Sequence, residues 1–549
     1  MTAFALGAWL VLNVVPAHAA VRCSVTTDLG ITTVTVNLSA GEDPKLRRTV
    51  EGAIRLDGAN LPAPCGNTDV DNTDMLVVTT SSPGDSDRGN DVTLDLANGG
   101  FIGSDGDEVD ILLDLKDPGE VAADSLDIEG SSEADNIRFG ASGVNLNGDD
   151  DADVTVDADS FTVHAERGDD IVSGLGGLGT GTALSSAGLT INGGAGADTL
   201  TGGDFDPVAP TVADTIAGGT GDDAIDGAGG SDSLTGGRGS DTVSGGSGND
   251  ALIDGGAGGD RLNGGDGDDL LVDTGTTSTD DDRLNGGSGQ DTLRGGAGDD
   301  LLIGGADADD IDGAAGSDTI DEGTSPNGSD RFTDGDRDAT VDYSGRTATI
   351  TVTMGGGQDD GEADENDDVE PTIGGIIGGS ADDSLKGTTG SQTLEGGPGA
   401  DTLSGRGGAD TLSYGGSPAG VTVDMSTDSN PTTAGVQPTV SGGDAESDAV
   451  GANFENVTGS SFEDSLTGDG DDNVLDGGDG DDVVDGLAGS DVMIGGVGTD
   501  TVSYAGASGG VTASLAAGRG TGGAGSDTLR TFENLTGSSK ADTLTGDTG

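Results

Sequence analysis

Aromatic residues, histidine and cysteine are scarce in this chain, and basic residues are few. Aromatic side chains make up 2% of the 549 residues, and there are 2 histidines and 2 cysteines. A core of the ordinary globular kind, filled by large side chains, is therefore excluded. Lys and Arg number 21 against 102 Asp and Glu, a formal net charge of -81. Such a chain repels phosphate, so we expect no nucleic-acid partner, little affinity for anionic membranes, and cations as natural ligands.

Glycine is abundant, and it recurs at a fixed period. From Gly286 to Asp321 the chain reads GGSGQDTLR, GGAGDDLLI, GGADADDID and GAAGSDTID, which follow GGxGxDxUx, where U is a large aliphatic residue. Glycines at positions one, two and four permit positive φ, so six residues can form a tight loop. The last three residues form a minimal strand whose middle residue points into the core. The pattern predicts an all-β fold, a parallel β-roll that needs one apolar residue per strand.

The aspartate at position six is the candidate metal ligand. It is a hard oxygen ligand placed among loop carbonyls, the ligand set that Ca²⁺ prefers. Ordering the backbone of the nine residues of one repeat costs about 9–18 kcal/mol of free energy. Burying the one Leu or Ile of that repeat contributes only about 1.5–3 kcal/mol in return. A divalent cation between neighbouring turns would remove the repulsion of stacked carboxylates and link one loop to the next. We therefore expect folding to be coupled to Ca²⁺ binding.

These nonapeptides resemble the RTX (hemolysin-type) calcium-binding repeats, and the match to the motif is close. The resemblance implies that two nonapeptides form one coil, and that each Ca²⁺ lies between a loop and the loop two repeats later. An affinity in the extracellular range, about 10⁻⁴–10⁻³ M, is expected. The aspartates predicted to be metal ligands are Asp198, Asp223, Asp232, Asp241, Asp250, Asp260, Asp269, Asp291, Asp300, Asp309, Asp318, Asp383, Asp401, Asp410, Asp464, Asp482, Asp491, Asp500, Asp527 and Asp542.

Some repeats depart from the motif. Gln392 and Asn473 occupy position six, and Asp307 and Asp471 replace the glycine of position four. We expect metal sites there to be weakened or absent. The resemblance also implies that an isolated copy such as 193–201 holds no ion, because each ion lies between a loop and the loop two repeats later.

The sequence divides into four stretches. Residues 1–19 have the apolar run and Ala-x-Ala ending of a secretory signal, too short for a membrane anchor. No Lys or Arg precedes Arg22, which leaves a misassigned or truncated start open. Residues 20–185 hold short aliphatic segments, expected to form an irregular β-helix-like domain that caps the roll. Residues 186–336 are the RTX β-roll. Residues 337–549 alternate three strand-rich inserts with further repeats, and we expect the C-terminus to be truncated because the chain stops inside a repeat.

Aromatic residues concentrate where the inserts begin and end. Tyr343, Tyr414 and Tyr504 each open an insert, and two inserts return through Phe454 and Phe532. We expect these side chains to plug the ends of roll segments. A ligand-binding role is the alternative.

Two cysteines, Cys23 and Cys65, follow the signal. In an exported chain a single disulfide between them is the simple prediction. Two unpaired thiols are the alternative. Neither has a His or Cys neighbour at zinc spacing, so we assign them no metal chemistry.

Catalytic motifs are poorly represented. The HExxH metalloprotease motif is absent, and His164 is the one histidine beyond the signal. Gly506-Ala-Ser508-Gly-Gly510 fits GxSxG, but a chain this rich in glycine matches that string by chance. Asp334 begins a string similar to an EF-hand loop that lacks the turn glycine and the bidentate Glu. We therefore predict a protein that is not an enzyme.

Three functions are consistent with the sequence. The first is a secreted structural or matrix-type protein, extracellular or at the cell surface, that folds on binding Ca²⁺. The second is a Ca²⁺-dependent adhesin for a glycan or a cell surface. The third is the non-catalytic part of a larger RTX enzyme or toxin. We favour the first, and we expect no membrane span after the signal.

Overall fold

A computed structural model of the chain describes residues 125–140, 143–146, 154–157, 160–176, 188–203, 212–254, 258–275, 280–426, 437–451 and 453–547, and before residue 125 the positions of strands. The chain forms two compact units, Met1–Asp291 and Thr292–Gly549. Within the described residues, the helical content is one 3-10 turn, Gly443–Ala445. The remaining ordered elements are β-strands, which confirms the all-β prediction.

The first unit is built from short strands in regular succession. They are β1 (Ala8–Val11), β2 (Arg22–Asp28), β3 (Ile31–Leu38), β4 (Lys45–Arg48), β5 (Ile54–Leu56), β6 (Met75–Thr80), β7 (Asp91–Asp95), β8 (Asp110–Asp114), β9 (Ser125–Glu129), β10 (Asn136–Gly140), β11 (Gly143–Asn145), β12 (Val154–Asp157), β13 (Ser160–His164), β14 (Ile171–Gly174), β15 (Leu189–Ala195), β16 (Thr199–Gly203), β17 (Thr215–Thr220), β18 (Ala224–Asp226), β19 (Ser233–Arg238), β20 (Thr242–Ser247), β21 (Ala251–Asp254), β22 (Arg261–Asp266), β23 (Leu270–Asp273) and β24 (Arg283–Ser288).

Successive strands of this unit alternate between two parallel sheets. Strands β13, β15, β17, β19, β21 and β23 pair in order on one side. Strands β14, β16, β18, β20, β22 and β24 pair in order on the other. Two nonapeptides therefore make one coil, and Ile216 in β17 lies beside Leu234 in β19. The repeats form the predicted parallel β-roll.

The core between the two sheets follows the motif. The aliphatic residue at position eight of the repeat, such as Ile216, Leu234 or Val243, is buried, and its two neighbours are exposed or partly exposed. One aliphatic side chain per strand is enough because the opposite sheet supplies its partner within the same coil.

The stretch before the repeats leads directly into the roll. β9 pairs in parallel with β13, which pairs in parallel with β15, the first strand of the glycine-rich region. Phe139 and Phe161 are buried in the core here, with ring centroids 5.3 Å apart. The disulfide predicted between Cys23 and Cys65 lies outside the described residues, and so does most of the predicted signal. Both stay predictions.

The second unit continues the same construction with shorter strands. They are β25 (Thr292–Ala297), β26 (Leu301–Ala306), β27 (Asp310–Ala315), β28 (Thr319–Asp321), β29 (Arg331–Thr333), β30 (Thr340–Asp342), β31 (Ile350–Thr353), β32 (Gly361–Glu362), β33 (Asp368–Val369), β34 (Gly375–Ile377), β35 (Ser384–Lys386), β36 (Thr393–Glu395), β37 (Thr402–Ser404), β38 (Thr411–Ser413), β39 (Thr422–Asp424), β40 (Thr439–Ser441), β41 (Ala449–Val450), β42 (Asn456–Thr458), β43 (Ser465–Thr467), β44 (Val474–Asp476), β45 (Val483–Asp485), β46 (Val492–Ile494), β47 (Thr501–Ser503), β48 (Val511–Ser514), β49 (Arg519–Gly522), β50 (Gly525–Arg530), β51 (Asn534–Thr536) and β52 (Thr543–Thr545).

Each of the first two inserts replaces one sheet while the other sheet continues. At the first insert β28, β30, β34 and β36 pair in unbroken order. The opposite sheet ends at β33, and β31 starts a new one by pairing with β35. At the second insert β39 starts the new sheet with β43. At the third β48 pairs in the same way with β52, but β49 and β50 join it to the sheet of β46. A short antiparallel strand, β32, β40 or β49, lies beside each new strand.

Candidate metal centres

The position-six aspartates form columns inside the roll. Each lies immediately before its strand, with its carboxylate turned inward. The backbone N–H of Asp223 donates to Oδ1 of Asp241 at 2.8 Å, and the N–H of Asp232 donates to Oδ1 of Asp250 at 2.8 Å. The same bond, from one coil to the next, joins Asp482 to Asp500 at 2.9 Å in the second unit. One carboxylate oxygen is thus held in place by the preceding coil.

The second oxygen, Oδ2, is buried without a hydrogen-bond donor in many repeats. We call these the open repeats. Their aspartates are at most 3% exposed, and their Oδ2 atoms have no hydrogen-bond partner among the described residues. Leaving a buried carboxylate oxygen bare costs about 1–3 kcal/mol or more, because it has lost its water. The predicted ligands in open repeats are Asp198, Asp223, Asp232, Asp250, Asp269, Asp318, Asp401, Asp410, Asp482, Asp491 and Asp500.

Backbone carbonyls converge on the same place. A Cβ built on Gly218 would lie 2.4 Å from Asp223 Oδ2 and 2.7 Å from the carbonyl oxygen of Gly236, one coil further on. In the second unit Gly477 stands in the same relation to Asp482 and the Gly495 carbonyl, at 2.4 and 2.6 Å. Oxygens of two coils therefore meet beside a glycine that has no side chain. Carboxylate and carbonyl oxygens from adjacent loops fit Ca²⁺.

Electrostatics disfavour the ionised form of these columns when no cation is bound. Burial raises the pKa of Asp223 to about 7; a backbone hydrogen bond partly opposes this, and the neighbouring Asp198 and Asp241 carboxylates reinforce it. Burial likewise raises the pKa of Asp232 and of Asp482 to about 7. A cation between coils would reverse this effect, since it favours the charged carboxylate.

The residue at position two distinguishes a second kind of repeat. In open repeats its φ is positive, as in Gly219 (φ 116) and even in Leu487 (φ 60). In the other kind, φ is not positive and its N–H donates to the side chain at position six: Ser460 to Asp464 at 2.6 Å and Gly379 to Asp383 at 2.7 Å. We call these the capped repeats.

Capped repeats have no bare carboxylate oxygen. The Oδ1 atoms of Asp383 and Asp464 accept the N–H groups of Ile350 and Val421, at 2.9 and 2.6 Å. These two are therefore weaker candidate ligands than the aspartates of open repeats. The repeats with Gln392 and Asn473 are capped by residues 388 and 469 in the same way.

The remaining predicted ligands lie at the same place in their repeats, with one exception. Asp241, Asp260, Asp291, Asp300 and Asp309 are buried members of the columns. Asp542 keeps position six, but it is partly exposed and accepts the Ser538 hydroxyl at 2.6 Å. The exception is Asp527, which lies in the third insert and faces Tyr504.

The structure adds aspartates that sequence analysis missed. Asp170 accepts the Asp135 N–H at 2.7 Å, and its own N–H donates to Asp198 at 2.8 Å. Asp198 thus belongs to a column rather than to an isolated copy. Asp330 accepts the Asp309 N–H at 2.7 Å. The Oδ2 atoms of Asp170 and Asp330 have no hydrogen-bond partner among the described residues. Their repeats lack the first two glycines but keep glycine at position four, the signal that could have revealed them.

Two tighter groups of carboxylates accompany the columns. In the first unit, oxygens of Asp260, Asp273 and Asp282 lie within 4.8 Å of one another. The predicted ligand Asp260 therefore has two further acids beside it. In the second unit Glu322, Glu365 and Asp367 form a similar group, in which Arg346 makes ion pairs of 3.2 and 2.8 Å with the two glutamates.

The fold and these columns define a β-roll in which carboxylate and carbonyl oxygens of adjacent coils lie close together. The RTX calcium-binding nonapeptide repeat family matches the chain at residues 190–207, 217–252, 273–302, 285–320, 376–416, 451–484 and 467–502. In these segments the chain carries the RTX calcium-binding nonapeptide repeat. RTX repeats bind calcium. No curated protein matches the chain. Within the described residues, no helix has the length and apolar character needed to cross a membrane.

Proposed function

We propose that this chain is a structural, non-catalytic repeat protein of the extracellular space that folds as it binds calcium. One observation carries the proposal: in the open repeats, the buried aspartates of the columns each have a carboxylate oxygen without a hydrogen-bond donor. A fold that buries these oxygens without a cation is penalised at every open repeat. The same fold with cations between its coils is stabilised at each of them.

The residues that would hold the metal are the aspartates of open repeats, together with carbonyl oxygens such as that of Gly236. Bound Ca²⁺ would supply the positive charge that the columns lack. Ca²⁺ accepts six to eight oxygen ligands in flexible geometry, whereas Mg²⁺ demands a small octahedron. Ligand sets shared between glycine-rich loops of two coils suit the larger ion.

The charge of the chain supports export before folding. With a net charge of -81, the unfolded chain repels itself where calcium is scarce. A weak affinity of about 10⁻⁴–10⁻³ M would leave the sites empty at the low calcium of a cytoplasm and fill them outside. The signal predicted at residues 1–19 agrees with this order of events.

The contacts of Ser508 also support a structural role. Ser508, in the string that fits GxSxG, lies after strand β47 and before β48 in the third insert, and its hydroxyl donates to the Gly523 carbonyl at 3.3 Å. This hydroxyl supports a turn between two short strands. A serine nucleophile of the GxSxG type lies instead in a turn between a strand and a helix.

The test is a calcium titration of the full chain followed by far-UV circular dichroism, with magnesium as the control. We expect a cooperative coil-to-β transition with calcium and none with magnesium at the same concentration. Isothermal titration calorimetry on the same sample should give several ions bound per chain. A chain that is already fully β in chelator and binds no calcium would overturn the proposal.

A further inference from the structure

Each of the three inserts has a buried tyrosine that faces a carboxylate, and in the first two its hydroxyl donates to that carboxylate. The hydroxyl of Tyr343 donates to Oδ2 of Asp367 at 3.0 Å, and that of Tyr414 donates to Oδ2 of Asp448 at 3.0 Å. Tyr504, at the same place in the third insert, faces the carboxylate of Asp527. All three tyrosines are at most 1% exposed. If these tyrosines only filled space at the ends of roll segments, their hydroxyls would not need to face carboxylates.

The acceptors of these hydroxyls are members of the aspartate columns. Oδ1 of Asp367 accepts the Asp330 N–H at 3.0 Å, and Oδ1 of Asp448 accepts the Asp401 N–H at 2.9 Å. Asp527 accepts the Asp491 N–H at 3.3 Å. These aspartates therefore hold the place of a position-six residue in the next coil. In the first two inserts the tyrosine hydroxyl occupies Oδ2, the oxygen that open repeats leave bare.

A second donor closes the aspartate column that begins beyond each insert. The strand after each tyrosine, β31, β39 or β48, donates an N–H to the position-six aspartate one coil on: Ile350 to Asp383, Val421 to Asp464 and Val511 to Asp542. Asp383 and Asp464 are in the capped repeats, and Asp542 accepts the Ser538 hydroxyl.

The local turn after each tyrosine is also the same. The N–H groups of Arg346, Ser417 and Ala507 donate to the carbonyls of Tyr343, Tyr414 and Tyr504, at 2.8 to 3.0 Å. The first insert adds a fixed cation, because the Arg346 guanidinium is fully buried against Glu322 and Glu365. The turn is thus built three times on different sequences, and in the first two inserts the tyrosine hydroxyl is bonded to a carboxylate.

We propose that the inserts are metal-independent closures, in which tyrosine hydroxyls of the first two inserts and N–H donors of all three take the place of calcium where one aspartate column ends and the next begins. Each closure holds its coils together without an ion. The repeat blocks between closures, residues 378–413 and 459–503, then order on these preformed ends when calcium arrives. This inference rests on the proposed function, because a closure differs from its surroundings only if the open repeats need calcium.

The experiment is hydrogen–deuterium exchange with mass spectrometry on the full chain, in chelator and in millimolar calcium. In chelator we expect slow exchange in peptides covering 413–425 and 445–451, and fast exchange in open repeats such as 218–235. Calcium should slow exchange in the open repeats and change the closures little.

Two variants separate a closure from an open repeat. Tyr414→Phe keeps the ring and removes the donor to Asp448, so exchange at the second insert in chelator should become about tenfold faster or more. Asp482→Ala should leave that insert unchanged in chelator and weaken the calcium response of the 459–503 block. Tyr343→Phe repeats the test at the first insert, with Arg346 still in place.

The outcomes distinguish this inference from the proposed function. A wild-type chain whose open repeats do not respond to calcium contradicts the proposed function. A chain that responds to calcium, but whose inserts exchange as fast as open repeats in chelator, overturns the closures alone. Equal exchange in wild type and Tyr414→Phe also overturns them, because the hydroxyl would then contribute nothing.

Discussion

The backbone N–H of Asp223 donates to Oδ1 of Asp241, its counterpart one coil later, at 2.8 Å. This bond makes each aspartate both a backbone donor and a carboxylate acceptor within a column. It fixes the carboxylate so that only Oδ2 remains for another partner. The repeats differ mainly in the partner of Oδ2, which is a backbone N–H, a tyrosine hydroxyl or, in our proposal, calcium.

Removing one aspartate of an open repeat should weaken calcium binding locally. For Asp223→Ala we expect the midpoint of the calcium titration to rise several-fold for the coils around residues 214–250, because a charged ligand is lost. Asp222→Ala is the matched control, since the same charge is removed from an exposed neighbour that only accepts the Ser240 N–H. Circular dichroism and calorimetry give both midpoints. Equal shifts in the two variants would mean that bulk charge, not ligation, sets the midpoint.

The period of the sequence was enough to predict most of the fold. GGxGxDxUx specifies the strand, its buried residue and the loop, and the buried Ile216 and Leu234 lie where the motif puts them. Pairing of coils two repeats apart followed from the resemblance to RTX repeats, and it is confirmed. Short strands such as Ile31–Leu38 were readable from alternation alone.

The distinction between open and capped repeats could not be predicted, because it depends on one backbone angle. Gly379 and Gly219 are both glycine at position two, yet Gly379 caps Asp383 and Gly219 has positive φ. The contacts of the inserts could not be predicted either, because they join residues far apart in the sequence. Tyr414 lies 34 residues from Asp448, and no local pattern joins them.

A glycine at position two of an open repeat should resist substitution. Gly496 has φ 106, and a Cβ there would lie only 1.7 Å from the Gly478 carbonyl oxygen. We expect Gly496→Ala to lower the free energy of unfolding of its block by about 1–3 kcal/mol. Gly470 in the same block has open space around its Cβ position, so Gly470→Ala should have little effect. Urea unfolding in saturating calcium measures both, and similar losses in the two variants would contradict the expected strain.

Stability without metal should rise on acidification. Burial raises the pKa of Asp223, Asp232 and Asp482 from 3.8 to about 7. Between these values the folded chain binds more protons than the unfolded chain, so its stability falls as pH increases. Chelator-treated protein should therefore gain β structure between pH 7 and pH 4, seen by circular dichroism. Protons and calcium compete for the same oxygens, so the calcium midpoint should rise as pH falls. A midpoint that does not change between pH 8 and pH 5.5 would contradict this competition.

The buried guanidinium of Arg346 should matter more than any exposed cation of the first insert. Its side chain is fully buried, and it donates to the Glu322 carbonyl and carboxylate and to Glu365. Burial raises the pKa of Glu322 well above its usual value, the Asp367 carboxylate adds to that shift, and Arg346 opposes it. Arg346→Met leaves buried carboxylates without a counter-charge, so we expect a loss of about 3–5 kcal/mol in the free energy of unfolding.

Arg331 provides the matched control for Arg346. Its side chain is 48% exposed and forms ion pairs of 3.1 and 3.2 Å with Asp310 and Glu370. Since such pairs are solvated, Arg331→Met should cost less than about 1 kcal/mol. Urea unfolding in saturating calcium compares the two variants. Adding Glu322→Gln to Arg346→Met should restore part of the loss if uncompensated charge is its cause. If the double variant is no more stable than Arg346→Met, the loss comes from packing of the guanidinium and not from its charge.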